Sequence, residues 1–277
     1  MKLLHIFSGG KRRLASVWSR CLFIGSAIII ASGSAQAITF TVFPISITLS
    51  VQVRSETLTL HNHSDEPIRF QLSAFAWDQK TSGEMVLNST EDIIFFPQLL
   101  TLEPNQERNV RVGTTTPPGD VEKTYRIFVE ELAEGQKPRK GQNPEVNVLT
   151  KMGLPIFIQP GKLVAAGHID DVHMSQGVFH FKLNNTGNVH FTAESVHVNG
   201  FGSSPSPIFG REATGWYVLA GESREFELQI PKADCSKIRT LAVEVKTDQT
   251  PYTAKYDLPS NACIGATSHK ELSARAK

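Results

Sequence analysis

Two histidine groups, one pair of cysteines and three cations set among apolar residues are the side chains in this sequence with chemistry to offer. His61-x-His63, and His168 with Asp170, Asp171 and His173, have the residue types of a metal site. On a strand, His61 and His63 would share a side and could chelate. However, residue 63 stands in the turn HSDEP, and no carboxylate or cysteine lies nearby at metal-ligand spacing, so no metal and no cofactor is expected. The cations are Lys151 in EVNVLTKMGLPIFIQP (145–160), Arg126 in TYRIFVEEL and Arg111 in NVRVGT. Catalytic signatures are missing: there is no GxSxG elbow, no HExxH, and no glycine-rich phosphate loop before a helix. GFGSSPSPIFG (200–210) is a turn-rich loop without the strand-to-helix context such motifs need. The expectation is a protein that binds, not an enzyme, with no small-molecule substrate.

The element that carries Lys151 is unusual. It is apolar and rich in β-branched residues, as a strand should be, yet it contains Gly153 and Pro155. A proline removes a ladder donor, so such a strand lies at a sheet edge, or is bent or bulged there. Proteins usually blunt an edge of this kind because it recruits other chains, and a strand-end lysine is one such device. Before it runs LAEGQKPRKGQNPE (132–145), rich in Gly, Pro and Lys, which reads as a flexible loop between two strands that would otherwise form a hairpin.

The chain has 277 residues and a formal net charge of +1. Its basic residues are scattered, apart from Lys137, Arg139 and Lys140 in that loop, and nucleic acid is not an expected partner. At the start, Lys11, Arg12, Arg13 and Arg20 form a basic region, Cys21 to Ala31 an apolar segment too short to span a membrane, and Ala35-Gln36-Ala37 a small-x-small cleavage site. Residues 1–37 therefore read as a signal peptide, giving a secreted, soluble mature protein from Ile38. Cys21 leaves with the signal. In an oxidising compartment the remaining pair, Cys235 and Cys263, is expected to form a disulfide.

From Ile38 onward the sequence alternates with period two and shows no convincing helix. Leu58 and Leu60 oppose Thr57, Thr59 and His61; Ile68, Phe70 and Leu72 oppose Arg69, Gln71 and Ser73. NHSDEP, KTSGE and LEPNQE supply turns between such strands. After Gln159-Pro160-Gly161 the alternation resumes through Phe179, Phe181 and Leu183, through Phe226, Leu228 and Ile230, and through Leu241, Val243 and Val245. Trp77 reads as a core residue. This pattern predicts an all-β chain of two immunoglobulin-like sandwiches, an N-terminal domain over 38–159 and a C-terminal domain over 161–265, followed by a loose tail over 266–277.

Several stretches resemble the periplasmic chaperones of chaperone–usher pilus assembly, the PapD-like superfamily. They are FPI (43–45), HNHSDEPIRFQLSAFAWDQ (61–79), IIFFPQLLTLEPNQERNVRVGTT (93–115), YRIFVEEL (125–132), NVLTKMGLPIFIQP (147–160) and, in the second domain, FKLNNTGNVHF (181–191). FPI, YRIFVEEL and GLPIF look closer to the archaic branch of that family. The resemblance implies two sandwiches in an L-shaped arrangement, located in the periplasm. It also implies a function, in which the chaperone lends its own edge strand to complete pilin or fimbrial subunits that lack one, and delivers them to an outer-membrane usher.

On this sequence the lent strand would be roughly Pro144 to Ile158, with Val146, Val148 and Leu149 as the side chains plugging the subunit, and with a bulge at Gly153 and Pro155 free to switch their parity. The family holds the subunit's C-terminal carboxylate with basic residues, and Lys151 is the position that carries over. Where better-known members place an arginine on the first strand, this chain has Ser46 and Thr48, and Arg126 or Arg111 is left to complete the anchor. Both arginines also read as solvent-facing partners of Glu130 or Glu131. Two other functions remain: a surface component such as an adhesin or pilin, with ITFTVFPI as its only donor segment, and a hydrolase or metal carrier using the histidines.

Overall fold

The computed structural model describes residues 40–133, 148–259 and 262–263. The expected signal peptide over 1–37, Val146, the greater part of the loop before Lys151 and the tail over 266–277 lie outside them. Two β-sandwiches follow one another, as the alternation predicts. The first is built from β1 (Phe40–Phe43), β2 (Ile47–Leu49), β3 (Ser55–Asn62), β4 (Ile68–Gln79), β5 (Met85–Ser89), β6 (Ile93–Phe96), β7 (Leu99–Leu102), β8 (Glu107–Thr114), β9 (Lys123–Glu131) and β10 (Lys151–Ile158). One sheet runs β1-β3-β8-β6; the other runs β2-β10-β9-β4-β5, with β7 also paired to β4. Between them lies a core in which Phe40, Leu58, Phe70, Leu102, Ile127 and Ile156 are fully shielded.

The second sandwich comprises β11 (Gly167–Ser175), β12 (Val178–Asn185), β13 (Phe191–Phe201), β14 (Pro207–Thr214), β15 (Tyr217–Val218), β16 (Ser223–Gln229), β17 (Thr240–Thr247) and β18 (Tyr252–Asp257). Its sheets are β11-β12-β16 and β14-β13-β17-β18, with β15 on β13. Phe179, Phe181, Leu183, Leu241, Val243 and Val245 fill its own separate core. One turn of helix, α1 (Lys232–Cys235), interrupts the strands, a departure from the helix-free expectation. It follows Pro231, whose carbonyl accepts from the Asp234 and Cys235 N–H groups, and it buries Cys235, which is disulfide-bonded to Cys263.

The same device closes a strand in each sandwich. Asn62 ends β3 with its amide donating to the carbonyls of Glu66 at 2.8 Å and of Leu102 and Glu103 at 3.1 Å, while its Oδ1 accepts from the Ser64 N–H at 2.9 Å. Asn185 ends β12, donating to Val189 and Val218 carbonyls at 2.8 and 2.9 Å and accepting from the Gly187 N–H at 2.9 Å. Each asparagine thus satisfies buried main-chain groups of two segments at once, which is the physical content of the HNHS and NNTG stretches. Replacing either by Ala removes these side-chain donors and the acceptor from the turn, although the Glu66 and Glu103 carbonyls keep the Ser64 hydroxyl and the Gln106 N–H. Asn62→Ala and Asn185→Ala should each cost about 2–3 kcal/mol, read as a lower urea midpoint at unchanged slope.

Candidate functional site: the half-open strand β10 and the joint beside it

Strand β10 pairs with β9 without a break, from Lys151↔Glu130 to Ile158↔Lys123. There is no bulge at Gly153 or Pro155, contrary to the sequence expectation, and the hydrogen-bond phase gives the reason. The Glu131 N–H donates to the Thr150 carbonyl at 2.9 Å, so these two form a hydrogen-bonded pair, and by alternation Pro155 opposite Arg126 falls on a non-bonded one. Its missing N–H would have pointed away from β9, and the ladder loses nothing there. Gly153 has its own reason: a Cβ on it would come within 2.7 Å of the Phe128 ring, which lies across the strand.

On its far side β10 is covered only in part. β2 runs parallel to it and pairs with Ile156, Phe157 and Ile158. Among the described residues no strand lies beside Lys151 to Gly153, and these three keep part of their surface in solvent, whereas Leu154 and Pro155 are buried. Residues 148–150 precede β10 outside any strand, with Val148 83% and Leu149 48% exposed. An apolar side chain that far into water is a candidate contact for another chain.

The outward face of β10 and β9 carries the cations. Lys151 ion-pairs with Glu130 at 2.9 Å and sits 5.0 Å above the Phe128 ring, with about half of each charged side chain in solvent. Arg126 is on the same face but 5% exposed. It is no solvent-facing partner of a glutamate: its guanidinium lies 4.0 Å over Trp77, 5.6 Å from the Trp216 ring and 5.7 Å from that of Tyr217, and donates from Nη1 to the Gly153 carbonyl at 3.1 Å. Nε and Nη2 are buried without acceptors. Burial pushes its pKa below the ordinary guanidinium value. A buried cation with two idle donors is costly unless an anion answers it. Arg111 is elsewhere, on the outer face of the other sheet, bonded to Ser55 and to Thr57 Oγ1 at 3.3 Å. The fold therefore places Lys151 and Arg126 on one face, four residues apart along the ladder, and leaves Arg111 on the other sheet.

Trp77 is fully buried, yet it is not in the sandwich core. Beyond Leu72 the buried side of β4 switches, because Trp77 lies on the outward face with Arg126 and is covered by the second sandwich. There it joins Phe157, Leu219 and Tyr217. His190 stacks on Phe157 at 3.7 Å and pairs through Nδ1 with Glu122 Oε1 at 2.6 Å, while its N–H donates to the same oxygen at 3.0 Å. Gln79 reaches the Tyr217 carbonyl at 2.8 Å. None of this joint was visible in the sequence: Glu122 and His190 are far apart in the chain, and no short motif contains both. The Gly215-Trp216-Tyr217 stretch offered only an aromatic pair as a signal.

Residues 39–164 match the family model for pili and flagellar-assembly chaperones, PapD N-terminal domain. No curated protein matches the chain in sequence. Among solved structures, the CsuC–CsuE chaperone–tip adhesion subunit pre-assembly complex from the archaic chaperone–usher Csu pili of Acinetobacter baumannii contains a chain similar to this one. Identity is 17%, the TM-score is 0.52, and the match covers 78% of this chain and 98% of that one. The complex of the Salmonella enterica SafA pilin with the SafB chaperone gives 17% identity and a TM-score of 0.52 over 81% and 99% of the two chains. The class 5 fimbriae chaperone CfaA gives 15% and 0.50 over 79% and 99%. At such identities the likeness is one of fold.

The joint and the anchor face should respond differently to truncation. Glu122→Ala strips the acceptor from the part-buried imidazole and main-chain N–H of His190, and should cost about 1–3 kcal/mol in urea unfolding. Lys151→Ala removes a half-exposed pair and should stay within about 0.5 kcal/mol of the parent. A large loss for Lys151→Ala would make that residue structural.

Proposed function

From the match of residues 39–164 to the family model for pili and flagellar-assembly chaperones, we propose that the chain is a periplasmic chaperone that lends β10 and the residues before it to pilin or fimbrial subunits and delivers them to an outer-membrane usher. The observation that carries this reading is the edge of β10 left without a partner strand at Lys151–Gly153, beside a buried, unanswered cation, Arg126 of β9, on the same face. A subunit strand added along that edge takes main-chain hydrogen bonds for general affinity, with Val146 and Val148 as plugs on one face; with no bulge to switch parity, an extended continuation of β10 puts Leu149 on the other face, with Lys151. Its C-terminal carboxylate is received by Lys151 and Arg126, a charge-assisted contact that fixes the register. Arg111 has no part in this, being held on the other sheet. The rival reading, an assembled surface component, needs a free donor segment. Yet β1 is already paired with β3, and Phe40 and Val42 are spent on its own core.

The test is capture of a pilin subunit co-expressed in the periplasm of a host that makes it. Lys151→Ala and Arg126→Ala should each weaken capture by at least about tenfold, as expected for one charge-assisted hydrogen bond. Val148→Asp places a charge in the apolar contact and should abolish it. Arg126→Ala alters a buried site, so its melting curve is measured alongside, and the exposed Lys151 and Val148 variants keep the result interpretable. Capture at parental level by folded Lys151→Ala and Val148→Asp would remove the lent-strand assignment.

A further inference from the structure

We infer that His61 and His63, with Glu107 and Thr41 around them, form a surface site for a divalent transition-metal ion, Cu2+ in preference to Zn2+. The inference stands apart from the chaperone reading and rests on the opposite sheet of the first sandwich. Neighbouring strands place Thr41 and Glu107 directly opposite His61 on either side, in the row Thr41–His61–Glu107 across β1, β3 and β8. All three are on the outer face, since Phe40, Val42, Leu60 and Val110 alternate inward. The chain leaving β3 then brings His63 over the row. The carboxylate missing from the local sequence is thus supplied by another strand.

The two rings are hydrogen-bonded to each other, so a proton now lies between the nitrogens that an ion would bridge in its place. Nδ1 of His61 and Nε2 of His63 stand 3.1 Å apart with the ring planes at 72°. Two imidazole nitrogens each about 2.0–2.1 Å from one metal are that far apart when the angle at the metal is about 100°, between the tetrahedral and square arrangements that zinc and copper favour. The Thr41 hydroxyl, 3.0 Å from His63 Nε2, is placed to bond a coordinated water. As folded, no third His, Cys, Asp or Glu among the described residues converges with the pair. Glu107 completes the set by turning its side chain across the roughly 5 Å that separates opposed Cβ atoms, and water fills the rest. With two imidazoles and oxygen donors, the order of divalent-metal affinities puts copper first.

The other histidine group lacks this convergence. His173 and His180 are stacked in parallel planes at 4.8 Å, and their Nδ1 atoms are turned to Asp171 and Glu227. They serve as the internal control. The experiment is titration calorimetry of CuCl2 and ZnCl2 into the untagged mature chain near neutral pH in a non-coordinating buffer. One saturable copper site per chain is expected, weakened at least about tenfold by His61→Ala or His63→Ala, by a smaller factor by Glu107→Gln, and unchanged by His173→Ala with His180→Ala. Absence of saturable copper uptake, or uptake that survives the His61→Ala/His63→Ala double variant, overturns the site; an unchanged affinity in Glu107→Gln removes the carboxylate from it.

Discussion

Strand β10 has to satisfy three neighbours while leaving a fourth side open, and much of the molecule is arranged around that demand. Inward, Leu154, Ile156 and Ile158 are buried in the first core. Outward, Phe157 packs against His190 and Trp77 in the joint with the second sandwich. Along one edge β9 holds it in continuous register. Along the other, β2 secures only the last three residues, which fixes the strand firmly at its C-terminal end and leaves Lys151 to Gly153 partly in solvent. An edge held this way is open without being loose, because the residues that would otherwise fray are paired on the opposite side. The exposed groups are then presented in a fixed geometry, which lowers the ordering cost of adding another strand.

The joint explains how a guanidinium comes to be buried beside that edge. Trp77, Phe157, Leu219 and Tyr217 form an apolar cluster between the sandwiches, and Arg126 sits at its border with the Trp77 ring beneath it. Aromatic faces offset part of the cost of removing the cation from water, but they leave its Nε and Nη2 donors idle. Lys151, four residues along β10 from the residue opposite Arg126, is by contrast half in solvent and already paired with Glu130. The two cations are therefore unlike: one is a mobile surface charge that can exchange its partner, the other a fixed, desolvated donor.

Individual residues show where the period-two reading held and where it stopped. Leu58, Leu60, Phe70 and Leu72 face the core as the alternation demands, since they lie in sheets with one face covered by their own sandwich. Trp77 broke the rule, being buried on the face that alternation assigns to solvent, because a second sandwich covers that face. Arg126 failed in the same way and for the same reason. Gly153 and Pro155 looked like a bulge from composition alone, whereas the pairing phase set by Thr150 and Glu131 lets both sit in a regular strand.

The sequence by itself determined the all-β class, the run of alternating strands, the disulfide pair, and the odd character of 145–160, because each of these is written in neighbouring residues. The resemblance to pilus chaperones was legible for the same reason, in short stretches in order. What only the tertiary structure decided are the meetings between distant segments: Glu122 with His190, Arg126 with Trp77 and Trp216, Glu107 across the sheet from His61, and Arg111 on the wrong sheet to assist Lys151. Local periodicity states which face of a strand a residue is on, but not what will cover that face. Burial, and with it the energy of a charge, is fixed only when the second sandwich and the neighbouring strands are in place.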